Sequence, residues 1–477
     1  MSEIKDIGRT SSAPGLFARL KGLWRGIAGA DRAGLLPVLS PHLVESDLDT
    51  LRAQMRACLA ATGGEVSARA RAAGLGRAYL SLSAAGRARF LRLLATEFGP
   101  ERAAVDQAAR ALAAAGNDDT ARARAEIALR SALEPPRLRL LTQFNALPEG
   151  VKFLVDLRAE LMGLARDDPT LAALEADLKG LLTSWFDVGF LALERITWHS
   201  PAAVLEKIMV YEAVHAIQGW HDLKNRLDSD RRLYAFFHPR MPDEPLIFVE
   251  VALVHELAGN VQDLLDTGAP VGDVETADTA IFYSINNAQR GLAGISFGNF
   301  LIKRVVDDLS REFKQIKTFA TLSPVPGLRK WLAERLTQGE PGLLNAAEHA
   351  ALTRLSGGLG AKGSLKTLLA DGDWLGEARL AETLEGPVLR LAARYLAREK
   401  RPGGQALDPV AHFHLSNGAR IERLNWMADL SANGLGQSAG VMVNYLYDLD
   451  DIEANHEAYS ASGKVALSNR VRALLKG

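Results

Sequence analysis

The stretch Ala280-Ile281-Phe282-Tyr283-Ser284-Ile285, followed by Gln289-Arg290-Gly291-Leu292-Ala293-Gly294-Ile295-Ser296-Phe297-Gly298-Asn299, decides how the chain is read. Its first six residues are β-branched, aromatic and short in extent, which suits a buried strand. Three glycines then interrupt the chain, and Ile302, Val305, Val306, Leu309 and Phe313 recur at helical spacing. The unit is strand, glycine-rich loop and helix. A second apolar run, Phe319-Ala320-Thr321-Leu322, stops at Ser323-Pro324-Val325-Pro326-Gly327, where two prolines end any ladder. Such a loop suits an anionic ligand, because glycines allow close backbone approach and N–H groups at a helix start point outward. Lys303 and Arg304 would add charge. The spacing is neither a Rossmann fingerprint nor a Walker A loop, and such a bend is more often a purely structural turn.

Outward from this unit, 477 residues are too many for one ordinary domain and predict two or three. With 56 basic and 57 acidic residues the net charge is −1, so no global field draws the chain to nucleic acid or to an anionic membrane. The single cysteine, Cys58, excludes an intrachain disulfide framework and a cysteine-based zinc site, and fits a reducing, cytoplasmic setting. There is no apolar run long enough to span a membrane. Residues 1–36 read as a flexible terminus. Its basic and serine content resembles a transit peptide, but Glu3, Asp6 and Asp31 count against that.

From about Pro37 to Asp187 the sequence is helix after helix. The windows Leu48–Ala61, Ser83–Glu97, Glu101–Ala115, Ala121–Leu133, Arg137–Leu147, Gly150–Leu164 and Thr170–Thr183 carry apolar residues at three- and four-residue steps. Gly63-Gly64, Gly116-Asn117 and Asp168-Pro169 separate them, the last as an N-cap with proline at the first helical position. With no fixed repeat, this half is predicted to be a helical bundle. Beyond about Trp185, strand-like runs at Leu233–Phe237, Leu246–Leu253, Ala280–Ile285, Phe319–Leu322 and Val441–Tyr447 alternate with helices. The expected class is therefore α+β: an all-α bundle over 37–187, then a mixed α/β domain over 188–477 with a helical insertion near 339–399.

The reactive residues are ambiguous by themselves. Ten histidines are ordinary for this length, and each alone is more readily a surface or hydrogen-bonded residue than a catalyst. His412 and His414 would face the same side of a strand, but no third ligand stands at a recognisable spacing, so no metal is assigned. His238 before Pro239 fits a fixed turn as well as a site. Ser323 serves either as the N-cap of the helix after Gly327 or as a hydroxyl held at a strand end beside the loop. No Gly-x-Ser-x-Gly elbow surrounds it.

The runs Phe237-His238-Pro239-Arg240-Met241-Pro242-Asp243-Glu244-Pro245-Leu246, Gly291-Leu292-Ala293-Gly294-Ile295, Phe300-Leu301-Ile302-Lys303-Arg304, Thr321-Leu322-Ser323-Pro324-Val325-Pro326-Gly327 and His414-Leu415-Ser416-Asn417-Gly418-Ala419 closely resemble malonyl-CoA decarboxylases. Leu424-Asn425-Trp426-Met427-Ala428-Asp429 extends the likeness, which is motif-level beyond Trp185 and architectural before it. The resemblance implies decarboxylation of malonyl-CoA to acetyl-CoA and carbon dioxide without biotin or any other cofactor. It also implies a catalytic domain similar to the GCN5-type acetyltransferase fold, and a homo-oligomer, a tetramer, assembled through the helical half. On its motifs Ser323 and His414 fall on the catalytic serine and histidine. Ala293, Gly294, Ile295, Ser296, Phe297, Gly298 and Asn299 fall on the acyl-CoA loop, and Ser284 and Tyr447 look like further pocket residues. Some relatives carry a C-terminal peroxisomal tripeptide, which Leu475-Lys476-Gly477 is not.

The chemistry needs no cofactor, because loss of carbon dioxide from a β-carbonyl acid leaves an enolate that the protein must stabilise and protonate. His414 would donate that proton while Ser323 orients the malonyl group. The same pair used as base and nucleophile would make a thioesterase or acyltransferase. From a different class, the chain would be a non-catalytic malonyl-CoA sensor that binds and does not turn over.

Overall fold

The computed structural model describes residues 24, 39–60, 64–295, 300–355, 365–369 and 373–476. Contacts divide the chain into two compact units: one comprises Met1–Leu191, His238–Glu244 and Gln289–Ser296, and the other Ala192–Phe237, Pro245–Ala288 and Phe297–Gly477.

The first unit is helical, as the periodicity predicts. Its described helices are α1 (Glu45–Leu59), α2 (Gly64–Ser81), α3 (Ala84–Glu97), α4 (Arg102–Ala114), α5 (Asp119–Leu133), α6 (Pro136–Asn145), α7 (Gly150–Leu164) and α8 (Pro169–Trp185). The Asp168 side chain caps α8 by accepting from Thr170 N and Leu171 N, with Pro169 at the first position. Helix α2 has no counterpart among the predicted windows. Gly63-Gly64 reads as a break, and the helix begins directly at Gly64, whose φ of 88° only glycine adopts without strain.

The core of this unit is α7, which buries Val151, Phe153, Leu154, Leu157 and Leu161. Trp24, the one described residue of the expected flexible terminus, is buried. Its indole donates to Pro148 O at 2.9 Å and its ring meets Phe153 edge-on at 5.0 Å.

The glycine-rich loop packs on α7. A Cβ at Gly291 would stand 1.8 Å from Val155 O, so only glycine permits this approach. Arg158, 2% exposed, donates to Gly291 O at 2.6 Å and to Ala293 O at 3.0 Å, and pairs with Glu175 at 2.7 Å. One guanidinium thus satisfies two loop carbonyls and one carboxylate, in the forked geometry that lysine lacks.

The second unit is built on an eight-stranded mixed sheet: β1 (Ala192–Ile196), β2 (Arg231–Phe237), β3 (Ile247–Val254), β4 (Thr279–Asn287), β5 (Thr318–Thr321), β6 (Ser323–Pro324), β7 (Arg420–Asn425) and β8 (Met442–Leu446). The order is β1-β2-β3-β4-β5-β8-β6, with β7 on the other edge of β8. Every pair is antiparallel except β4 with β5. That pair needs a crossover, supplied by the loop and α10 (Phe300–Glu312).

Both sheet faces are covered, which is why β2 and β3 read as continuous apolar runs. Val204, Leu205 and Ile208 of α9 (Ala202–Tyr211) pack on Leu233, Ala235 and Phe248. The alternate residues turn toward α10, where Tyr234 donates to Asp308 at 2.8 Å and Arg232 pairs with Glu312 at 2.6 Å. Helix α11 (Leu328–Thr337) follows β6, and α12 (Pro409–Ser416) precedes β7. In the expected insertion, Ala346–Leu355 and Ala378–Arg398 are helical. Among the described residues no helix is long and apolar enough to cross a membrane.

Arg158→Met keeps the volume and removes every polar contact of that side chain, leaving two carbonyls and Glu175 without it. The expected loss is about 3 kcal/mol, read as a lower denaturation midpoint by circular dichroism, and Arg158→Lys restores little of it. An unchanged midpoint in Arg158→Met would show that the loop carbonyls are satisfied by other groups.

Candidate active site

Parallel pairing of β4 and β5 ends at Phe282 and Thr321, where Leu322 N donates to Phe282 O at 3.0 Å. From there β4 continues to Asn287 against β3, while the other chain continues as β6 along β8. The two strands part. Their separated ends line a cavity of about 360 Å3 through Phe282, Ile285 and Asn287 on one strand and Ser323 and Pro324 on the other. Tyr283, Val214 and the α12 residues Pro409, Val410, Phe413 and His414 complete it. The lining is apolar with a few polar groups, as small-molecule pockets generally are.

Ser323 is not the N-cap of the next helix. Helix α11 starts after Gly327, and Ser323 lies on β6, paired with Val443 of β8. Its second predicted role, a hydroxyl at a strand end, is the one its position matches. The hydroxyl donates to Thr321 Oγ1 at 2.8 Å and lies 3.0 Å from His414 Nε2. Thr321 Oγ1 also accepts from Tyr445 N at 3.2 Å.

His414 is not on a strand. It sits in the last turn of α12, where His412, two positions away, turns to Tyr459 at 2.9 Å, so the two histidines do not share a face. The Asp-Pro signature that marks the start of α8 also stands at Asp408-Pro409: the fully buried Asp408 side chain accepts from Val410 N and Ala411 N at 2.9 and 2.8 Å. Asn417-Gly418 ends the helix, and Gly418 has φ 82° with Ile452 O only 2.1 Å from where a Cβ would be. The start and stop of α12 are fixed, and with them the direction of the imidazole.

The ring is 2% exposed and surrounded. Nδ1 lies 2.7 Å from the Tyr447 hydroxyl, and Tyr445 stacks on one face at 4.5 Å and 25°. Burial pushes the imidazole pKa down to about 3 and holds the Tyr447 phenol well above its ordinary range, so both are neutral at pH 7. The directions are self-consistent: Tyr447 O–H donates to Nδ1, Nε2–H donates to Ser323 Oγ, and Ser323 O–H donates to Thr321.

The other predicted residues lie elsewhere. Ser284 is on β4, but its hydroxyl donates to Glu212 Oε2 at 2.8 Å and is not among the cavity-lining groups. Tyr447 stands behind His414, also outside the lining. Ala293, Gly294 and Ile295 close the described part of the loop, while Ser296, Phe297, Gly298 and Asn299 lie outside the described residues. Lys303 pairs with Glu453. His238 accepts from Arg240 N and meets Trp185 O, both at 3.1 Å, and so fixes its turn. Thr321 and Tyr445 escape sequence reasoning, since nothing in a buried threonine or a strand tyrosine distinguishes them from core.

Beneath Ser284, Glu250 is fully buried beside Arg226 at 3.1 Å, and burial, with Glu212 adding to it and Arg226 opposing, pushes its carboxyl up to about 8. The native state therefore holds a proton on Glu250 that the unfolded chain releases above pH ~4.5, and stability falls as pH rises from there to about 8. His414 has the opposite slope: the unfolded chain binds its proton below pH ~6.5 and the native state only near 3, so stability rises with pH across that interval. Of these two slopes, that of Glu250 alone acts between pH 6.5 and 8, at up to about 1.4 kcal/mol per pH unit. Glu250→Gln is expected to flatten the urea midpoint over that range; a slope equal to the parent's would place the proton elsewhere.

Comparison with known proteins bears on both units. Residues 98–186 match the malonyl-CoA decarboxylase N-terminal domain and residues 189–477 the malonyl-CoA decarboxylase C-terminal domain. The mitochondrial malonyl-CoA decarboxylase of the goose Anser anser anser is 40% identical over 410 residues, 83% of this chain and 81% of that protein. The mouse protein of the same name is 41% identical over 362 residues, 74% of this chain and 73% of its own. The crystal structure of malonyl-CoA decarboxylase from Rhodopseudomonas palustris superposes with a TM-score of 0.81 at 44% identity, covering 89% of this chain and 99% of that one. That from Agrobacterium vitis gives 0.80 at 43%, with the same coverage. With both family models matched in order over residues 98–186 and 189–477 and relatives about 40% identical over most of their length, this chain belongs to the malonyl-CoA decarboxylase family.

Proposed function

We propose that this protein decarboxylates malonyl-CoA to acetyl-CoA and carbon dioxide without biotin, with His414 as proton donor to the α-carbon and Ser323 orienting the malonyl group. The observation that carries the proposal is the Ser323–His414 hydrogen bond, 3.0 Å long, at the lining of an otherwise largely apolar cavity.

The proton balance assigns the roles. The C–C bond to the carboxylate breaks, its electron pair remains as the thioester enolate, and carbon dioxide leaves. One proton must then reach the α-carbon. A neutral imidazole is a poor donor, but a desolvated malonyl carboxylate beside it favours the imidazolium. The incoming anion thus recruits the proton that its own departure requires. In the imidazolium, Nδ1–H donates to the Tyr447 oxygen and Tyr445 offers its ring face to the cation, while Nε2–H faces the substrate. Ser323, freed to turn from Thr321, hydrogen-bonds the malonyl group and holds the breaking bond in line with the π system.

The thioesterase reading loses ground on the same geometry. A nucleophilic serine gives its proton to the imidazole, whose other nitrogen a carboxylate orients. Here Ser323 donates to Thr321, and the group on Nδ1 is a neutral phenol. The acyl-CoA role of Ala293–Asn299 rests on the motif match, with support from Lys179, whose Nζ lies 3.3 Å from where a Cβ of Gly294 would stand. A homotetramer assembled through the helical half belongs to the same proposal. So does a cytoplasmic location, supported by the single, buried Cys58, although the animal relatives are named mitochondrial.

The test is carbon dioxide release and acetyl-CoA formation from malonyl-CoA, with no metal or biotin added. The parent should turn over, and Ser323→Ala and His414→Ala should each lose about 10²–10⁴-fold in kcat while remaining folded. Free CoA as product would favour the thioesterase, and binding without turnover the sensor. Tyr447→Phe should retain substrate binding and lose about tenfold in kcat, consistent with an indirect role through one hydrogen bond.

A further inference from the structure

The cavity wall contains one residue whose position is held by an unusual amount of buried polarity. Val214 lies in the segment 212–215 that follows α9, where neither helix nor sheet holds the backbone. Side chains hold it instead. Glu212 Oε1 accepts from Val214 N and from His215 N, both at 2.8 Å, and Asn286 Oδ1 accepts from Ala213 N at 2.9 Å. Three consecutive N–H groups are thereby fixed. Glu212 also accepts from Ser284 Oγ at 2.8 Å and from Asn286 Nδ2 at 2.6 Å. Glu212, Ser284 and Asn286 are 6%, 2% and 3% exposed, so this is a carboxylate buried among donors that saturate it.

Strand alternation ties the clamp to the cavity. Ser284 and Asn286 of β4 hold the segment, while Ile285 and Asn287, their neighbours on the opposite face, line the cavity together with Val214. If His414 protonates the α-carbon, that carbon lies inside this cavity, whose apolar lining includes Val214, Phe282, Ile285 and Phe413. A β-branched side chain is restricted at χ1, and its backbone here is held by three side-chain hydrogen bonds.

We propose that Val214 sets the size limit at the α-carbon, so that the site accepts β-carboxyacyl thioesters with an unsubstituted α-carbon and disfavours α-branched ones. Glu212, with Ser284 and Asn286, is the positioning group that keeps Val214 in place. Ser284 accordingly acts through Glu212 and not on the substrate. The inference rests on the decarboxylase reading for the placement of the α-carbon.

The experiment measures kcat/KM for malonyl-CoA and methylmalonyl-CoA on the parent, Val214→Ala, Val214→Ile and Glu212→Gln. One methyl group against a fixed wall is worth roughly ten- to two-hundredfold in selectivity. Val214→Ala should therefore raise the methylmalonyl-to-malonyl ratio at least about fivefold, and Val214→Ile should lower it. Glu212→Gln should shift the ratio in the direction of Val214→Ala, and add little when combined with it. A ratio is insensitive to the fraction of folded enzyme, which a merely structural role would change. If Glu212→Gln does not fold, Ser284→Ala loosens the same clamp by one donor and takes its place. A ratio within about twofold of the parent in both Val214 variants overturns the proposal. Should the parent turn over neither thioester, the decarboxylase reading fails, and the size limit is then judged by the same ratio taken from calorimetric affinities.

Discussion

The second unit depends on one event in the sheet: two parallel strands that pair as far as Phe282 and Thr321 and then separate. A parallel pair that continued would use the backbone groups of both strands and leave no room between them. Because β8 takes over the edge of the second chain, first from β5 at Ala320 and then from β6 at Ser323, that chain leaves β4 without losing its hydrogen-bonded partner. The prolines at 324 and 326 suit this arrangement, since a residue without an N–H is tolerated where pairing is short and one-sided. The cavity is what remains where β4 and β6 no longer meet.

The chemistry at that cavity follows from how little water reaches the His414 ring. An imidazole in a polar cleft would titrate near neutrality; burial keeps His414 neutral and chains it to two phenolic residues and two hydroxyls. In the proposed mechanism the site becomes charged when a ligand brings a compensating charge. A carboxylate partner on Nδ1 would hold the imidazolium permanently and weaken it as an acid, whereas the phenol of Tyr447 accepts or donates as the ring changes state. The same scarcity of water explains why Glu250 behaves as a neutral acid next to an arginine: Arg226 is shared with Asp222 at 2.8 Å, so its charge is already partly committed.

Much of the architecture was legible because it follows from periodicity. Strands β2, β3, β4, β5 and β8 lie within a residue or two of the apolar runs that predict them, since a sheet covered on both faces leaves few polar positions. Strands β1 and β7 were not legible. Ala-Leu-Glu-Arg-Ile and Arg-Ile-Glu-Arg-Leu-Asn alternate charge with apolar residues, and β7 keeps its arginines occupied by Glu422 of the same strand and by Asp448 and Asn444, the last two being contacts that only the tertiary fold creates. At the site, Ser323 and His414 emerged from motif likeness and not from local chemistry. Their meeting depends on a helix capped at Asp408 and a strand displaced onto β8, neither of which leaves a mark near the other in sequence. Glu212 was invisible for the same reason: a carboxylate at the end of α9 reads as solvent-exposed polarity until β4 supplies Ser284 and Asn286.

That last case bears on how residues at this site should be classed. A polar strand residue close to a proposed catalytic pair invites assignment to the substrate, and Ser284 fits that description until its partner is identified. Both of its neighbours in the clamp are more than nine-tenths buried, and their donors and acceptors are matched within the protein. Moving Ser284 to a substrate would leave a buried carboxylate short of a donor, a cost on the order of 1–3 kcal/mol that binding would have to offset. Ser323 faces no such cost, because its hydroxyl can turn from Thr321 toward a ligand while Thr321 Oγ1 keeps the hydrogen bond it accepts from Tyr445 N. The two serines differ in what each would leave behind, and that difference fits the proposed roles of Ser323 in the reaction and of Ser284 in the wall that shapes it.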